Sequence, residues 1–203
     1  MFPLGSTVFP HQVMPLHVFE PRYRVMMEQL TAEGADPTFG IALIERGHEV
    51  GGGDHRASVA TRVEILGAEE FEDGRWGVVA AGLERVDIIE WLPDDPYPLA
   101  MVRSRPVVDN GGSNLEDVGE MLREVIEMLA ARQGVDVATD YDFSDEPLVH
   151  LDQLCALAPL TDFDRQFILE ASTTRDQMER LSDALQDKRA LLEAQLGHGD
   201  ELG

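Results

Sequence analysis

The sequence predicts an α+β protein, with a β-rich first part over residues 1–109 and a helical second part over residues 110–203. Three observations predict it. Residues 38–108 carry short apolar runs, several with two-residue alternation, separated by turn signals. From residue 115 onward the apolar positions recur at helical spacing. Strands and helices are segregated along the chain, not alternated, which argues for α+β over βαβ winding.

The opening, Met1 to Met27, is divided by Pro3, Pro10, Pro15 and Pro21 into short extended pieces, because proline fixes φ and disfavours helix in the residue before it. Pro21 then suits the first turn of a helix over Glu20–Glu33, with Tyr23, Met26, Met27 and Leu30 at helical spacing. After the turn signal Gly34–Pro37, residues 38–46 read as a strand, and a glycine-rich loop runs from Gly47 to Arg56. Ser58–Glu70 and Arg75–Ala81 flank an Asp73-Gly74 hairpin signal. In the first of these, Val59, Thr61, Val63 and Ile65 alternate with Ala60, Arg62 and Glu64. Leu83–Trp91 and Leu99–Val108 complete the strands, and a mostly antiparallel, strongly curved sheet is expected.

Ser113 and Glu116 have capping-box spacing before a long helix with Leu115, Val118, Leu122, Val125, Ile126 and Leu129 inward, ended by Gly134. Pro147–Leu157 and Thr161–Ala171 give two shorter helices, the latter with Phe163, Phe167 and Ile168 expected inward. The last helix runs from about Thr174 to Leu196, with a second capping-box spacing at Thr174 and Gln177 and a stripe of Met178, Leu181, Leu185, Leu192 and Leu196 that Lys188 interrupts.

The formal charge is −23, and both parts are acidic: 18 acidic against 9 basic residues in 1–109, then 21 against 7. Neither part offers the basic footprint that phosphate neutralisation requires, so nucleic acid and anionic membranes are not expected partners. A single cysteine, Cys155, excludes an intrachain disulfide and a thiolate metal cluster. No cofactor is expected. The opening lacks a charged-then-apolar leader pattern and no long apolar run follows, so a cytoplasmic location is the expectation.

Met1–Met27 resembles the start of the Lon N-terminal domain family. The resemblance extends to Phe39–Leu43, to Ser58–Ile65 (with Ala60 where the family usually has glycine), to Asp73–Trp76 and to Gly82–Val86. It continues through Pro96–Ala100, Leu157–Leu160, Arg165-Gln166 and Leu169–Ala171. It implies a PUA-like, antiparallel pseudo-barrel β subdomain joined to a small helical bundle, and a non-catalytic role in binding polypeptides. No Gly-x-x-x-x-Gly-Lys-Ser/Thr phosphate loop occurs, and the sole lysine, Lys188, has no serine nucleophile motif around it.

Other constellations admit plainer readings. His48, Glu49, Asp54 and His55 share one loop but match no defined metal spacing. Cys155, among Leu151, Leu154 and Leu157, reads as a packing residue. Phe2, Phe9, Phe19, Tyr23, Trp76 and Trp91 are mostly core candidates, with a subset available as an exposed patch. Glu20 and Arg22 read either as a polar clamp for a peptide or as structural partners of the first helix. The binding residues expected from the opening are His11, Phe19, Glu20, Arg22 and Tyr23, with the groove between the subdomains as a further site. Two other functions stay open: a regulatory docking partner of a protease or chaperone, and a PUA-like small-molecule or nucleotide-binding protein.

Overall fold

The proline-divided opening becomes two short strands, β1 (Phe2–Leu4) and β2 (Val13–Val18), followed by helix α1 (Pro21–Leu30). These positions come from a computed structural model that describes residues 1–46, 55–111 and 115–197, with no side-chain detail at 196 and 197. Glu20 is held extended before Pro21, which occupies the first helical turn. The helix stops at Leu30, short of the expected Glu33, because the Thr31 hydroxyl and N–H both donate to the Met27 carbonyl, at 2.8 and 2.9 Å. Four further strands follow: β3 (Thr38–Arg46), β4 (His55–Glu70), β5 (Trp76–Leu92) and β6 (Leu99–Ser104). The chain divides into two compact units, Met1–Pro106 and Val107–Gly203.

In the first unit the strands form one mixed sheet in the order β1-β3-β4-β5-β2, with β6 also paired to β5. β1 runs parallel to β3, and the other pairings are antiparallel. Among the described residues β1 and β2 are not paired with each other, so the sheet is open where a closed pseudo-barrel would pair them. Tyr23, Met26 and Met27 bury one face of α1 against Val18, Val63, Trp76 and Val78, and Phe2 packs on Tyr23 with ring centroids 4.4 Å apart. Packing of this face into the core outweighs helix propensity in a helix of only ten residues.

The expected strands Arg75–Ala81 and Leu83–Trp91 are one continuous strand, β5. Gly82 makes this possible. A Cβ there would lie 2.2 Å from the Phe9 carbonyl oxygen, so only glycine lets β5 pass the opening loop. His11 N–H donates to the Gly82 carbonyl and Gly82 N–H donates to the Gln12 carbonyl, both at 2.9 Å. Phe9 is fully buried, and Thr61 Oγ1 donates to the Val8 carbonyl at 2.6 Å. The opening loop is thereby fastened to the sheet at several points.

The second unit contains α2 (Leu115–Gln133), α3 (Pro147–Leu157), α4 (Asp162–Leu169) and α5 (Thr174–Gly197). Gly134, with φ +67°, ends α2: its N–H donates to the Ala131 carbonyl and that of Val135 to Ala130, a Schellman motif. Ser113 of the first capping-box spacing lies outside the described residues. The second spacing is not used. Thr173 Oγ1 accepts the Asp176 N–H at 3.1 Å, one residue earlier than expected, while Gln177 turns inward to donate to Asp152 Oδ1 at 2.8 Å. Cys155 is buried beside this pair, its Sγ 3.4 Å from Gln177 Nε2. Val118, Leu122, Leu151, Leu154, Leu181 and Leu185 form the centre of the helical core.

Phe163 and Phe167 do not face inward as expected; both are exposed. The reason lies at the end of α3. Arg165 is drawn inward to donate to the carbonyls of Ala156 (2.9 Å) and Ala158 (3.3 Å), and burial lowers its pKa. With Gln166, Ile168 and Leu169 buried, α4 is rotated so that positions 163 and 167 point to solvent. Satisfying bare helix-end carbonyls outweighs covering two rings.

Two expected outcomes follow from the sheet. Gly82→Ala should lower unfolding free energy by about 1–3 kcal/mol through overpacking, whereas Gly67→Ala, with nothing within 4 Å of its Cβ, should stay within about 0.5 kcal/mol; urea titration compares them. Asp87 binds two guanidiniums, Oδ2 to Arg103 at 2.9 Å and Oδ1 to Arg105 at 2.8 Å. The hydrogen bond from Arg103 is the largest cause holding its carboxyl below the usual aspartate range. A depressed carboxylate pKa stabilises the fold above the ordinary aspartate value and loses that contribution as pH falls through the folded value. Asp87→Asn should therefore be less stable than wild type at neutral pH, and the difference should shrink in acid when both are melted across the range.

Candidate functional site

Strand β2 is apolar on both sides. Met14, Leu16 and Val18 face the core, while Val13, Pro15 and His17 face solvent. Because directly paired residues of antiparallel strands share a face, registry extends the outer side into three cross-strand rows. Val13 lies opposite Ala81 and then Glu64; Pro15 opposite Val79 and then Gly67; His17 opposite Gly77 and then Glu69. Val13 is 61% exposed and Val79 43%. The result is an uncovered apolar floor with carboxylates along its β4 side.

Aromatic side chains close one end of this floor. The Phe71 ring lies over Gly77, where an added Cβ would approach it to 3.1 Å. His17 stands between Phe71 and Phe19, with ring centroids 6.4 and 6.2 Å away, and Phe19 is 53% exposed. The sheet's register shifts add to the apolar exposure. Leu66, Leu83 and Ile89 are the residues skipped where the β4–β5 and β5–β6 pairings shift, and all three are exposed. A bulge removes one residue from the alternating pattern and re-aims its side chain.

Pro15 also limits how a ligand engages. It sits within edge strand β2 and has no N–H to donate to an added strand. The face, not the β2 edge, is the continuous feature.

The five residues expected from the opening divide into two groups. His11 and Phe19 are exposed, with His11 in a left-handed conformation (φ 62°) at the turn before β2. Glu20 and Arg22 are partly buried and pair with each other at 3.1 Å; Arg22 also reaches Asp94 at 3.9 Å and lies 4.6 Å above the Tyr23 ring. Tyr23 is buried in the core. His17, Val13, Pro15, Phe71 and Val79 were not among the expected site residues. The signal that identifies them is a strand apolar at both odd and even positions, which only edge placement turns into an exposed face.

Of the loop considered for metal binding, His48, Glu49 and Asp54 lie outside the described residues, and His55 is exposed at the start of β4. Among the described residues no group of three or more His, Cys, Asp or Glu could hold a metal ion. No described helix is long and apolar enough to cross a membrane.

Large exposed apolar patches on folded proteins mark interaction surfaces or aggregation-prone faces. The chain belongs to the ATP-dependent protease La (LON) substrate-binding domain family, whose model matches residues 1–187. It is 28% identical over 208 residues to Lon protease 2 of Herpetosiphon aurantiacus, covering 95% of this chain and 24% of that protein. The chain thus spans about a quarter of the length of that curated relative. Among solved structures it is similar to a Lon N-terminal domain protein from Xanthomonas campestris, with a TM-score of 0.60 and 18% identity over 89% of this chain and 94% of that one. The N-terminal domain of a Mycobacterium avium complex Lon protease matches with a TM-score of 0.58 and 16% identity, covering 91% and 97%. These two likenesses bear out the fold.

Exposed residues of the face should be dispensable for folding, in contrast to the buried part of the opening. Phe19→Ser and Val79→Ser are expected to change unfolding free energy by no more than about 0.5 kcal/mol. Tyr23→Ala should cost about 3–5 kcal/mol, as for large aromatic truncations in a core. Thermal melts of the three variants provide the comparison.

Proposed function

We propose that this chain binds polypeptide segments non-covalently on the outer face of β2 and β5, without ATPase or peptidase chemistry of its own. The observation that carries this reading is the contiguous exposed row of Val13, Pro15 and Val79, closed by His17, Phe19 and Phe71. Unfolded segments offer apolar side chains that a folded protein hides, and a rigid sheet face loses little conformational entropy on receiving them. Family membership supports substrate binding, and the sequence given has neither a phosphate loop nor a serine nucleophile motif. The net charge of −23 disfavours nucleic acid. A cytoplasmic setting goes with this reading, since the single buried thiol calls for no oxidising compartment.

The test uses reduced, carboxymethylated lactalbumin as a permanently unfolded probe, with its native form as control. The unfolded form should bind and the native form should not. Phe19→Ser and Val79→Asp should each weaken binding about tenfold, a loss of about 1.4 kcal/mol, with melting temperature nearly unchanged. Equal binding by these variants would remove the face from consideration. ATP hydrolysis or casein cleavage that copurifies with the chain and disappears on a point substitution would overturn the non-catalytic part.

A further inference from the structure

Helix α4 places two phenylalanines on solvent one helical turn apart: Phe163 is 62% exposed and Phe167 57%. Beside Phe167 runs a groove of about 380 Å³, within the helical unit, bordered by Asp164 of α4 and by Asp176, Glu179, Asp183 and Asp187 of α5. Those four α5 carboxylates recur every three or four residues, which puts them along one side of the helix. Against these five acids, the described lining of the groove includes one cation, Arg180, already paired with Asp176 at 2.8 Å. The described carboxylates do not form a metal-holding group, so an inorganic cation is not the ligand their arrangement suits.

The molecule itself contains an example of what fits there. The Arg180 guanidinium stacks 4.0 Å above the Phe167 ring while bonding to Asp176 and donating to the Phe167 carbonyl. An arginine thus uses an aromatic face and a carboxylate at once, the pairing for which its flat, weakly hydrated group is suited. From Asp176 to Asp187 the acids continue the same pattern along α5 for about 16 Å, at the 1.5 Å rise of a helix. Cations on one side of a second helix repeat at nearly the same 5–6 Å interval, whereas alternate residues of a strand repeat at about 6.8 Å and drift out of step.

We propose that this groove docks a basic amphipathic helix of a partner protein, with arginines over the α5 carboxylates and aliphatic side chains against Phe163 and Phe167. Charge complementarity selects the occupant: a second copy of this chain would bring a further −23 and be repelled. The groove belongs to the second unit and the β2–β5 face to the first, and the proposal does not depend on the reading given for that face.

The experiment is fluorescence anisotropy with a labelled 16-residue peptide having leucine at helical spacing and arginine on both flanks. A second peptide carries glutamine in place of every arginine. The arginine peptide should bind at least about tenfold more tightly, a difference of 1.4 kcal/mol, and should weaken as salt rises. D183N/D187N should lower its affinity about tenfold, and F163S/F167S by a similar factor. Phe19→Ser should leave this binding unchanged. Asp183 and Asp187 are exposed, so their variant tests the proposal even where the double phenylalanine variant folds poorly. Equal binding of the two peptides, indifference to D183N/D187N, or loss of binding in Phe19→Ser would each overturn it.

Discussion

The β unit depends on the passage of β5 past the Phe9 carbonyl at Gly82. At that point a side chain has no room, and two backbone hydrogen bonds tie the opening loop to the strand. Because β5 continues through, a single strand pairs with β4 along one side and with β2 and β6 on the other. Phe9 is thereby held in the interior, and β2 is placed at an edge with one apolar side turned outward. Core and candidate face are consequences of one close approach.

Exposure of apolar residues in this unit is systematic. Ordinary alternation exposes Val13 and Val79, and register shifts expose Leu66, Leu83 and Ile89, which would otherwise fall within the alternating pattern. Pro15 blunts the free edge on which such a surface would otherwise invite strand addition and aggregation. The acidic residues at Glu64 and Glu69 border the face and add charge repulsion between copies of the chain.

The helical unit reaches an exposed aromatic pair by a different route. Polar Arg165 and Gln166 occupy inward positions, the first because the α3 carbonyls need donors, and Phe163 and Phe167 are displaced outward as a result. Arg180 then covers part of one ring. Hydrogen-bond demand at a helix end therefore sets which residues of its neighbour face water.

The sequence by itself determined the segregation of strands and helices, nearly all element positions, the proline-set start of α1, the Gly134 stop and the burial of Cys155. These are local matters, governed by φ restriction, capping chemistry and the period of apolar residues, all of which act within a few residues. The sequence also marked the opening by its proline spacing. It did not separate exposed Phe19 from buried Tyr23, and it did not find Val79 or Phe71. Only the tertiary structure decided those, together with the parallel β1–β3 pairing, the continuity of β5 and the outward turn of α4. Edge placement, register shifts and the pull of distant carbonyls arise between segments far apart in the chain, so no local pattern encodes which side of a doubly apolar strand, or of an eight-residue helix, will meet water.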